Sequence, residues 1–155
     1  MEEDARFEDG QARPLHLKAL DADDLSVVSA LAQDAVFPVG EMQWQARQRR
    51  FAVLLNRFRW EDAIAQTAPE RVRAVLVFED VQRISSQGVQ RGDKDVVLSL
   101  LAISFEPGED GTGAAILTLA GDGAIRIEVE ALDVTLKDVT KPYIAPSKTV
   151  PHHPE

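Results

Sequence analysis

Hydrophobic and polar residues alternate along much of this chain, and this pattern predicts a protein built mainly of β-strands. In residues 125–130, three branched apolar side chains alternate with three charged ones: Ile125, Arg126, Ile127, Glu128, Val129 and Glu130. Successive side chains of a strand point to opposite faces, so such a segment is typical of a strand with one buried face. Gly-Asp-Gly at 121–123 precedes it and supplies turn residues, which predicts a β-hairpin.

Four further segments carry strand patterns: PLHLKAL (14–20), EMQWQARQ (41–48), RVRAVLVFEDVQRISSQGV (71–89) and VVLSLLAISFEPG (96–108). The third is long, and we predict a bend near Glu79-Asp80, where two acids interrupt its apolar positions. Glycine and aspartate at 88–93 are typical of a turn between the third and fourth segments.

One segment carries a helical pattern instead. Apolar residues recur at helical spacing across its length: Leu25, Val27, Val28, Leu31 and Ala35. Asp21, Asp23 and Asp24 open the segment, and acids at this end cap a helix and oppose its dipole. We predict that Pro38 to Gly40 ends the helix.

Two segments fit both kinds of secondary structure. Residues 49–60, RRFAVLLNRFRW, fit a helix or a strand buried on both faces, and their aromatic and β-branched content favours the strand. Residues 131–140 place Leu132, Leu136 and Val139 near helical spacing. We predict a closing helix there, with a continued strand as the alternative.

These elements predict an α+β fold: a curved, mostly antiparallel sheet with an N-terminal and a C-terminal helix. A barrel-like, pleckstrin-homology-like sheet suits strands followed by a closing helix, although the early helix departs from that arrangement. The length of 155 residues suits one domain. We assign it to residues 14–140, between a flexible acidic arm (1–13) and a proline-rich tail (141–155).

Composition places the chain among soluble proteins. Hydrophobic residues make up 45% and charged residues 28%, and there is no cysteine, which excludes disulfides and thiolate chemistry. The acidic N-terminus lacks the apolar core of a signal peptide, and no apolar run reaches the roughly 20 residues that span a bilayer. We expect a cytoplasmic protein without membrane contact, and the net charge of −9 argues against nucleic acid as a partner.

No catalytic signature stands out. Of the histidines His16, His152 and His153, two lie in the tail, and there is no glycine-rich phosphate loop. The three aspartates near residue 21 do not follow a calcium-loop pattern. We therefore expect no catalytic residue, no metal and no cofactor, and a non-enzymatic role ahead of an enzymatic one.

A basic stretch is the strongest candidate for a site. There is no acid between Met42 and Trp60, against five arginines. Arginine forks bind carboxylate or phosphate, and the candidate binding surface consists of Asn56, Arg57, Arg59, Trp60, Arg71 and Arg73. On a strand, Arg57 and Arg59 point the same way as Leu55. We favour the other interpretation, in which the arginines form structural ion pairs with neighbouring acids: Glu61, Asp62, Glu70 and Glu79.

The segments LNRFRWE (55–61) and LLAISFEPG (100–108) carry a resemblance to known proteins. With the helical segment and the 121–138 hairpin region, they are similar to an uncharacterised bacterial family, a small cytoplasmic domain of unknown function. The resemblance covers Leu15 to Val139. It implies a bacterial cytoplasmic setting and offers no activity, cofactor or catalytic residue to transfer.

Two hypotheses of function follow. The first is a non-catalytic binding or adaptor module for a protein or a small anionic ligand. An exposed groove lined by Arg57, Arg59 and Trp60 favours it, and a buried arginine stretch counts against it. The alternative is a small cytoplasmic enzyme with a pocket between sheet and helix, which requires polar residues with perturbed pKa values in that pocket.

Overall fold

Eleven β-strands and one α-helix make up the described parts of the chain. The computed structural model describes residues 14–62, 70–140 and 143–144. The helix, α1, spans Ala22–Ala32. The strands are β1 (His16–Ala19), β2 (Val36–Pro38), β3 (Met42–Gln45), β4 (Arg50–Phe58), β5 (Glu70–Phe78), β6 (Val81–Gln87), β7 (Val97–Pro107), β8 (Gly113–Leu119), β9 (Ala124–Val129), β10 (Val134–Asp138) and β11 (Tyr143–Ile144). None of the helices in these ranges is long and apolar enough to cross a membrane.

The predicted acidic arm lies outside the described residues. So does the predicted proline-rich tail, apart from β11, whose two residues pair with Arg71 and Glu70 at the start of β5. The division into arm, domain and tail therefore stays a prediction.

The strands form one open, antiparallel sheet. Nine of them follow in the order β1–β10–β5–β4–β2–β7–β8–β9–β6, with β3 beside β4 and β11 beside β5. Every described strand pair is antiparallel. β1 and β6 end the path, and within the described residues each has a single strand neighbour. The pairing leaves the sheet open, so it does not close into the barrel-like, pleckstrin-homology-like form.

The sheet bends at a corner where β5 passes into β6 and β9 passes into β10. Only Glu79 and Asp80 separate β5 from β6, and Asp80 has a φ of 55°, in the left-handed region that aspartate tolerates. The Glu79 N–H donates to the Asp133 carbonyl and the Glu130 N–H to the Asp80 carbonyl, both at 2.9 Å. These bonds hold the two passages side by side, and the predicted bend at Glu79-Asp80 is confirmed.

The two halves of the bent sheet share one core. Leu76 and Phe78 from the first half lie in the same buried cluster as Ile125 and Ile127 from the second. The rings of Phe51 and Phe78 lie 6.3 Å apart at a tilt of 38°. A fully buried Leu, Ile or Phe side chain contributes about 1.5–3 kcal/mol to the free energy of folding. This cluster is therefore the main source of the stability of the fold.

Helix α1 begins where the aspartates predict. The side chain of Asp21 accepts a hydrogen bond of 2.8 Å from the Asp24 N–H, and Asp23 and Asp24 occupy the first turn. Leu25 and Val28 are buried against the sheet. The Ile103 N–H of β7 donates to the Ser29 hydroxyl at 2.8 Å, which fixes the helix on that strand.

The helix ends earlier than predicted. It stops at Ala32, and after a turn in which Asp34 has a φ of 66°, the chain pairs with β7 through β2. The Asp34 N–H donates to the Leu100 carbonyl, and the Leu100 N–H donates to the Ala35 carbonyl, both at 2.8 Å. Pro38 is the last residue of β2, and not the residue that ends the helix.

The prediction of a C-terminal helix is wrong, and with it the two-helix α+β fold. Residues 134–138 form β10, which pairs with both β1 and β5. Val134, Leu136 and Asp138 are buried on one face, at a period of two, whereas Val139 is 48% exposed. The helical spacing of the apolar residues was misleading because the third buried position holds an aspartate.

The other predicted strands are confirmed. Residues 50–58 form β4, one face of which is buried throughout, while the other is half-buried from Arg50 to Asn56 and ends in the buried Phe58. The 113–129 hairpin turns through Gly121 and Asp122, both with positive φ, as the turn residues predict.

Candidate functional site

Arg57 occupies a core position of β4. Phe51, Val53 and Leu55 form a row of buried side chains on one face of the strand, and Arg57 continues that row with 0% exposure. It points the same way as Leu55, as predicted, but that direction leads into the protein. A guanidinium is retained in such a position only when carboxylates and hydrogen bonds compensate its desolvation.

Two carboxylates hold the guanidinium in place. Asp138 accepts hydrogen bonds from Arg57 Nε at 2.9 Å and from Nη2 at 3.0 Å. Glu61 accepts from Nη1 at 2.9 Å and from Nη2 at 2.6 Å. The side chain of Asp138 is 1% exposed and that of Glu61 is 26% exposed. Both contacts are bidentate, the strongest form of arginine–carboxylate pairing. We call these three residues the Arg57 cluster.

The Arg57 cluster also connects the N-terminal strand. The Leu15 N–H donates to Asp138 Oδ2 at 2.9 Å, and the Asp138 N–H donates to the Leu15 carbonyl at 2.8 Å. Asp138 thus accepts from both a main-chain amide and Arg57, which satisfies most of its acceptor capacity.

The last turn of α1 completes the surroundings. Arg57 Nη1 lies 3.5 Å from the Leu31 carbonyl and 3.3 Å from the Phe58 carbonyl. The indole N–H of Trp60 donates to the Gln33 carbonyl at 2.8 Å. Carbonyls at a helix C-terminus lack helical partners and carry partial negative charge, so a cation and an N–H donor stabilise this end of α1.

Mutual pairing moves the pKa values of both partners. Burial opposes the charged guanidinium, but the hydrogen bonds to Glu61 and Asp138 outweigh it and raise the pKa of Arg57. Burial also opposes the charged form of Glu61, yet the hydrogen bonds and charge of Arg57 hold the pKa of Glu61 below its usual range. Both groups are therefore ionised at neutral pH.

The other predicted site residues do not join one surface. Arg59 is buried and donates to Glu70 at 2.7 Å. Asn56 and Arg73 face each other across β4 and β5 on the opposite, outer face, where both line a shallow groove. Arg71 Nη1 lies 3.5 Å from the Asn56 carbonyl. The six residues are thus divided between the interior and the outer face of the sheet.

Arg50, Arg57 and Arg59 of the basic stretch form ion pairs with acids of the protein itself. Glu61 and Glu70 pair with Arg57 and Arg59, and Glu79 pairs with Arg50 at 3.0 Å. No exposed groove forms around Arg57, Arg59 and Trp60, so the observation that was to favour a binding site there is missing from the described structure.

A different recess lies at the open margin of the sheet. It encloses about 320 Å³ between β3 and β6, and we call it the β3–β6 slot. Its lining comes from both halves of the sheet and from the β6–β7 connection: Val39, Gly40, Met42, Trp44, Phe51, Ile84, Ser86, Val89, Arg91, Lys94 and Ile125. Phe51 and Ile125 belong to the buried core, so the slot opens onto the core itself.

Strand pairing explains why this recess exists. β3 pairs with β4 and β6 pairs with β9, and among the described residues neither has a strand on its other side. Met42 and Trp44 lie opposite Val53 and Phe51, so they extend the core face of β4 beyond its edge. Trp44 remains 44% exposed. Its indole is therefore available to a ligand.

Main-chain hydrogen bonds bound the slot at both ends. At one end the Gly40 N–H donates to the Lys94 carbonyl at 2.9 Å and the Val39 N–H to the Val96 carbonyl at 2.8 Å. At the other end the Val81 N–H donates to the Arg49 carbonyl at 2.8 Å. The first two bonds join the turn before β3 to the β6–β7 connection, and the third joins the residue before β4 to the start of β6, so the segments that flank the slot are held together at two places.

The charged residues of the slot have one sign. Arg91 and Lys94 are both exposed, and none of the described lining residues is acidic. In the parts of the chain that the structure describes, neither cation forms an ion pair. Arg49, at the far end, is paired with Glu130 at 2.7 Å. Both cationic side chains of the lining therefore come from the β6–β7 connection, in which Asp93 and Asp95 flank Lys94 without lining the slot.

Comparison with known proteins identifies the family. The family model described as "Protein of unknown function (DUF2948)" matches residues 15–153. The chain belongs to this family. No curated protein and no solved structure matches the chain. The resemblance seen in LNRFRWE and LLAISFEPG, to a small domain of unknown function, is confirmed.

The LNRFRWE segment has a structural explanation in this member of the DUF2948 family. Arg57 and Glu61 are two members of the Arg57 cluster, Arg59 pairs with Glu70, and Trp60 binds the end of α1. A distinctive motif of this chain thus supports packing between α1 and the sheet.

Sequence reasoning missed the slot. Trp44 and Met42 were predicted as the apolar side of a half-buried strand. The strand is present, but Met42 is half-buried and Trp44 is exposed, because pattern alone does not show that the strand lies at an edge. Arg91 and Lys94 lie in a segment predicted only as a turn. Their meeting with β3 depends on the Gly40–Lys94 hydrogen bond, which joins residues 54 positions apart.

The three aspartates near the start of α1 are explained without a cation. Asp21 caps the helix, and the Asp23 carbonyl accepts from the Ser26 hydroxyl at 2.6 Å. Among the described residues there is no group of three or more acids and histidines arranged to hold a metal ion.

Proposed function

We propose that this protein is a non-catalytic binding module that holds a small anionic ligand with an apolar body in the β3–β6 slot. One observation carries the proposal: an apolar recess open to solvent whose charged lining residues, Arg91 and Lys94, are both cations. A volume of about 320 Å³ lies at the lower end of the range of small-molecule sites, about 300–1,000 Å³.

The lining is complementary to an amphipathic anion. Met42, Ile84 and Phe51 offer apolar surface, on which burial of a ligand gains roughly 25 cal/mol per Å². The arginine offers a planar fork for carboxylate or phosphate, and the lysine a second positive charge. In a chain of net charge −9, a recess whose charged lining residues are both cations suits an anion.

The tied ends of the slot favour a compact ligand over a protein segment. An added strand lies about 4.8 Å from each neighbour, so a peptide between β3 and β6 requires about twice that separation along its whole length. At Gly40–Lys94 and at Arg49–Val81 the two sides are already joined by direct hydrogen bonds. A molecule that fits between these ties meets no such obstacle.

The lining favours binding over catalysis. Its polar side chains are Arg91, Lys94 and Ser86, with no carboxylate or imidazole among the described lining residues to act as a general base for the serine. A cytoplasmic site of action in bacteria is part of the proposal. It is supported by the absence of cysteine from the whole chain, which suits a reducing compartment.

Titration with the fluorescent aromatic sulfonate 8-anilinonaphthalene-1-sulfonate tests the proposal. We expect saturable binding at one molecule per chain. The double variant Arg91→Gln/Lys94→Gln is expected to bind about tenfold more weakly, the effect of losing about 1.4 kcal/mol. The matched control Arg83→Gln/Lys137→Gln removes the same charge from exposed positions outside the slot, and its affinity should change less than about twofold.

Two outcomes contradict the proposal. One is absence of saturable binding to the wild-type protein. The other is equal affinity of both double variants, which makes the probe a reporter of general apolar surface. Circular dichroism of each variant confirms that the sheet is intact.

A further inference from the structure

We infer that the ligand of the β3–β6 slot is an aromatic or branched-chain monocarboxylate that carries no ammonium group. This inference rests on the proposed function and adds the chemical class of the ligand. It is drawn from the position of the charges, the nature of the lining and the close contact at Gly40.

The two cationic side chains of the lining, Arg91 and Lys94, come from one end of the slot, and Asp93 and Asp95, which flank Lys94 in the sequence, are not among the lining residues. The Lys94 carbonyl accepts a hydrogen bond from the Gly40 N–H, which fixes the Lys94 backbone at this end of the slot. Arg91 lies three residues earlier in the same connection. At the other end, Arg49 is not among the lining residues, and its guanidinium is bound to Glu130 at 2.7 Å. A ligand with a single anionic group at one end matches this distribution.

An ammonium group has no partner in the lining. In an α-amino acid the ammonium and the carboxylate are attached to the same carbon. Wherever the carboxylate meets Arg91 and Lys94, the ammonium approaches the same two cations. None of the described lining residues is an acid that offsets this repulsion. Like charges brought together at close range disfavour binding, so the slot discriminates against amines and zwitterions.

The remainder of the lining selects an apolar, preferably flat body. Trp44 exposes 44% of its surface at the mouth of the slot, and Phe51 and Ile125 form its floor. Indole faces stack on aromatic rings and also contact branched hydrocarbon. Ser86 is the single hydroxyl among the described lining residues. Ligands rich in hydroxyl or amide groups therefore leave polar atoms without partners, at a cost in affinity.

Gly40 sets the width at the charged end. A methyl group at this position would lie 3.1 Å from Lys94 Cβ and 3.3 Å from the Lys94 carbonyl oxygen, closer than ordinary van der Waals contact. Gly40→Ala therefore requires Lys94 to move by a few tenths of an ångström, without removing a charge. Gly92 lies in the same connection and has nothing within 4 Å of such a methyl group, so Gly92→Ala is a matched control.

Calorimetric titration with three ligands that share one ring system tests the inference: indole-3-acetate, tryptamine and tryptophan. We expect indole-3-acetate to bind at least about tenfold more tightly than either amine-bearing compound. A second set, 4-methylpentanoate and leucine, should show the same order. Gly40→Ala should weaken binding of indole-3-acetate severalfold, and Gly92→Ala should leave it unchanged.

The outcomes separate the inference from the proposed function. If tryptophan or tryptamine binds as tightly as the acid, or if the sulfonate probe binds the slot and neither acid does, the ligand class is wrong while the anion-binding module stands. If neither the sulfonate nor any carboxylate binds, both fall. Equal weakening by Gly40→Ala and Gly92→Ala contradicts the role given to the Lys94 end.

Discussion

Arg57 and Asp138 meet across an intervening strand. Arg57 on β4 lies opposite Val72 of β5, and Asp138 on β10 lies opposite Ala74 of the same strand. Arg57 reaches across β5 and donates to Asp138 from Nε at 2.9 Å and from Nη2 at 3.0 Å. The ion pair therefore joins β4 to β10 across β5. We expect its loss to lower the stability of the whole fold and not only that of one strand pair.

Asp138→Ala should strongly destabilise the protein. It leaves the buried guanidinium with one carboxylate and leaves the Leu15 amide without its acceptor. Removing one partner of a buried pair typically costs about 3–5 kcal/mol, and the remaining Glu61 places this variant near the lower figure. Urea denaturation at pH 7 measures the change. Glu106→Ala breaks an exposed pair with Arg126, which solvent screens, and should cost much less than Asp138→Ala. Equal losses in the two variants contradict this ranking.

The stability that Glu61 contributes should depend on pH. Its pKa is lowered in the folded state, so its contribution is complete above the ordinary value of 4.5 and is lost as pH falls through the lowered value. At pH 7, Glu61→Gln should reduce the free energy of unfolding by about 1–3 kcal/mol. Below pH 4.5 the gap between wild type and variant should narrow. Denaturation curves at pH 7, 5, 4 and 3 test this, and a constant gap contradicts it.

Substitutions in β10 distinguish the strand from the helix that the spacing predicts. In the strand, Leu136 is fully buried, whereas Val139 is 48% exposed beyond its end. Leu136→Ala should cost about 2–5 kcal/mol, because it leaves a cavity in the core. Val139→Ala should change the free energy of unfolding by less than about 0.5 kcal/mol. A helix packed through Leu132, Leu136 and Val139 predicts similar losses at both positions, so thermal denaturation of the two variants decides between the structures.

The cap of α1 gives a local measure of helix stability. Asp21→Ala removes the acceptor of the Asp24 N–H and should cost about 1 kcal/mol. Asp23→Ala removes a first-turn acid without a capping bond from its side chain and should cost about 0.3–1 kcal/mol. Urea denaturation of both variants provides the comparison. A larger loss for Asp23→Ala means that charge, and not the capping bond, dominates at this end.

Local pattern predicted most of the strands and the start of the helix because those features depend on neighbouring residues. The alternation in 125–130, the turn at Gly121 and the cap at Asp21 each act within a few positions. The end of α1 and the nature of residues 134–138 depend on partners far away in the sequence. Ala35 pairs with Leu100, and Asp138 fills a core position only because Arg57 is there to receive it.

The candidate sites show the same limit more strongly. An arginine-rich strand predicts positive charge, but burial of Arg57 depends on acids at positions 61 and 138, and only the nearer one was among the partners considered. The β3–β6 slot depends on which strand edges are left without neighbours. The order of strands in the sheet determines which edges are free, and the alternation of side chains along β3 and β6 does not predict that order.

The pairing of β1 with β10 has a consequence for how the chain is made. β10 is the strand neighbour of β1 in the sheet, and the hydrogen bond from Leu15 to Asp138 spans 123 residues. During synthesis, β1 leaves the ribosome long before its partner exists, so it waits without a place in the sheet until residue 138 has emerged. Contacts of such long sequence separation form slowly and late. Docking of β1, and formation of its bond to Asp138, should therefore be among the last events of folding.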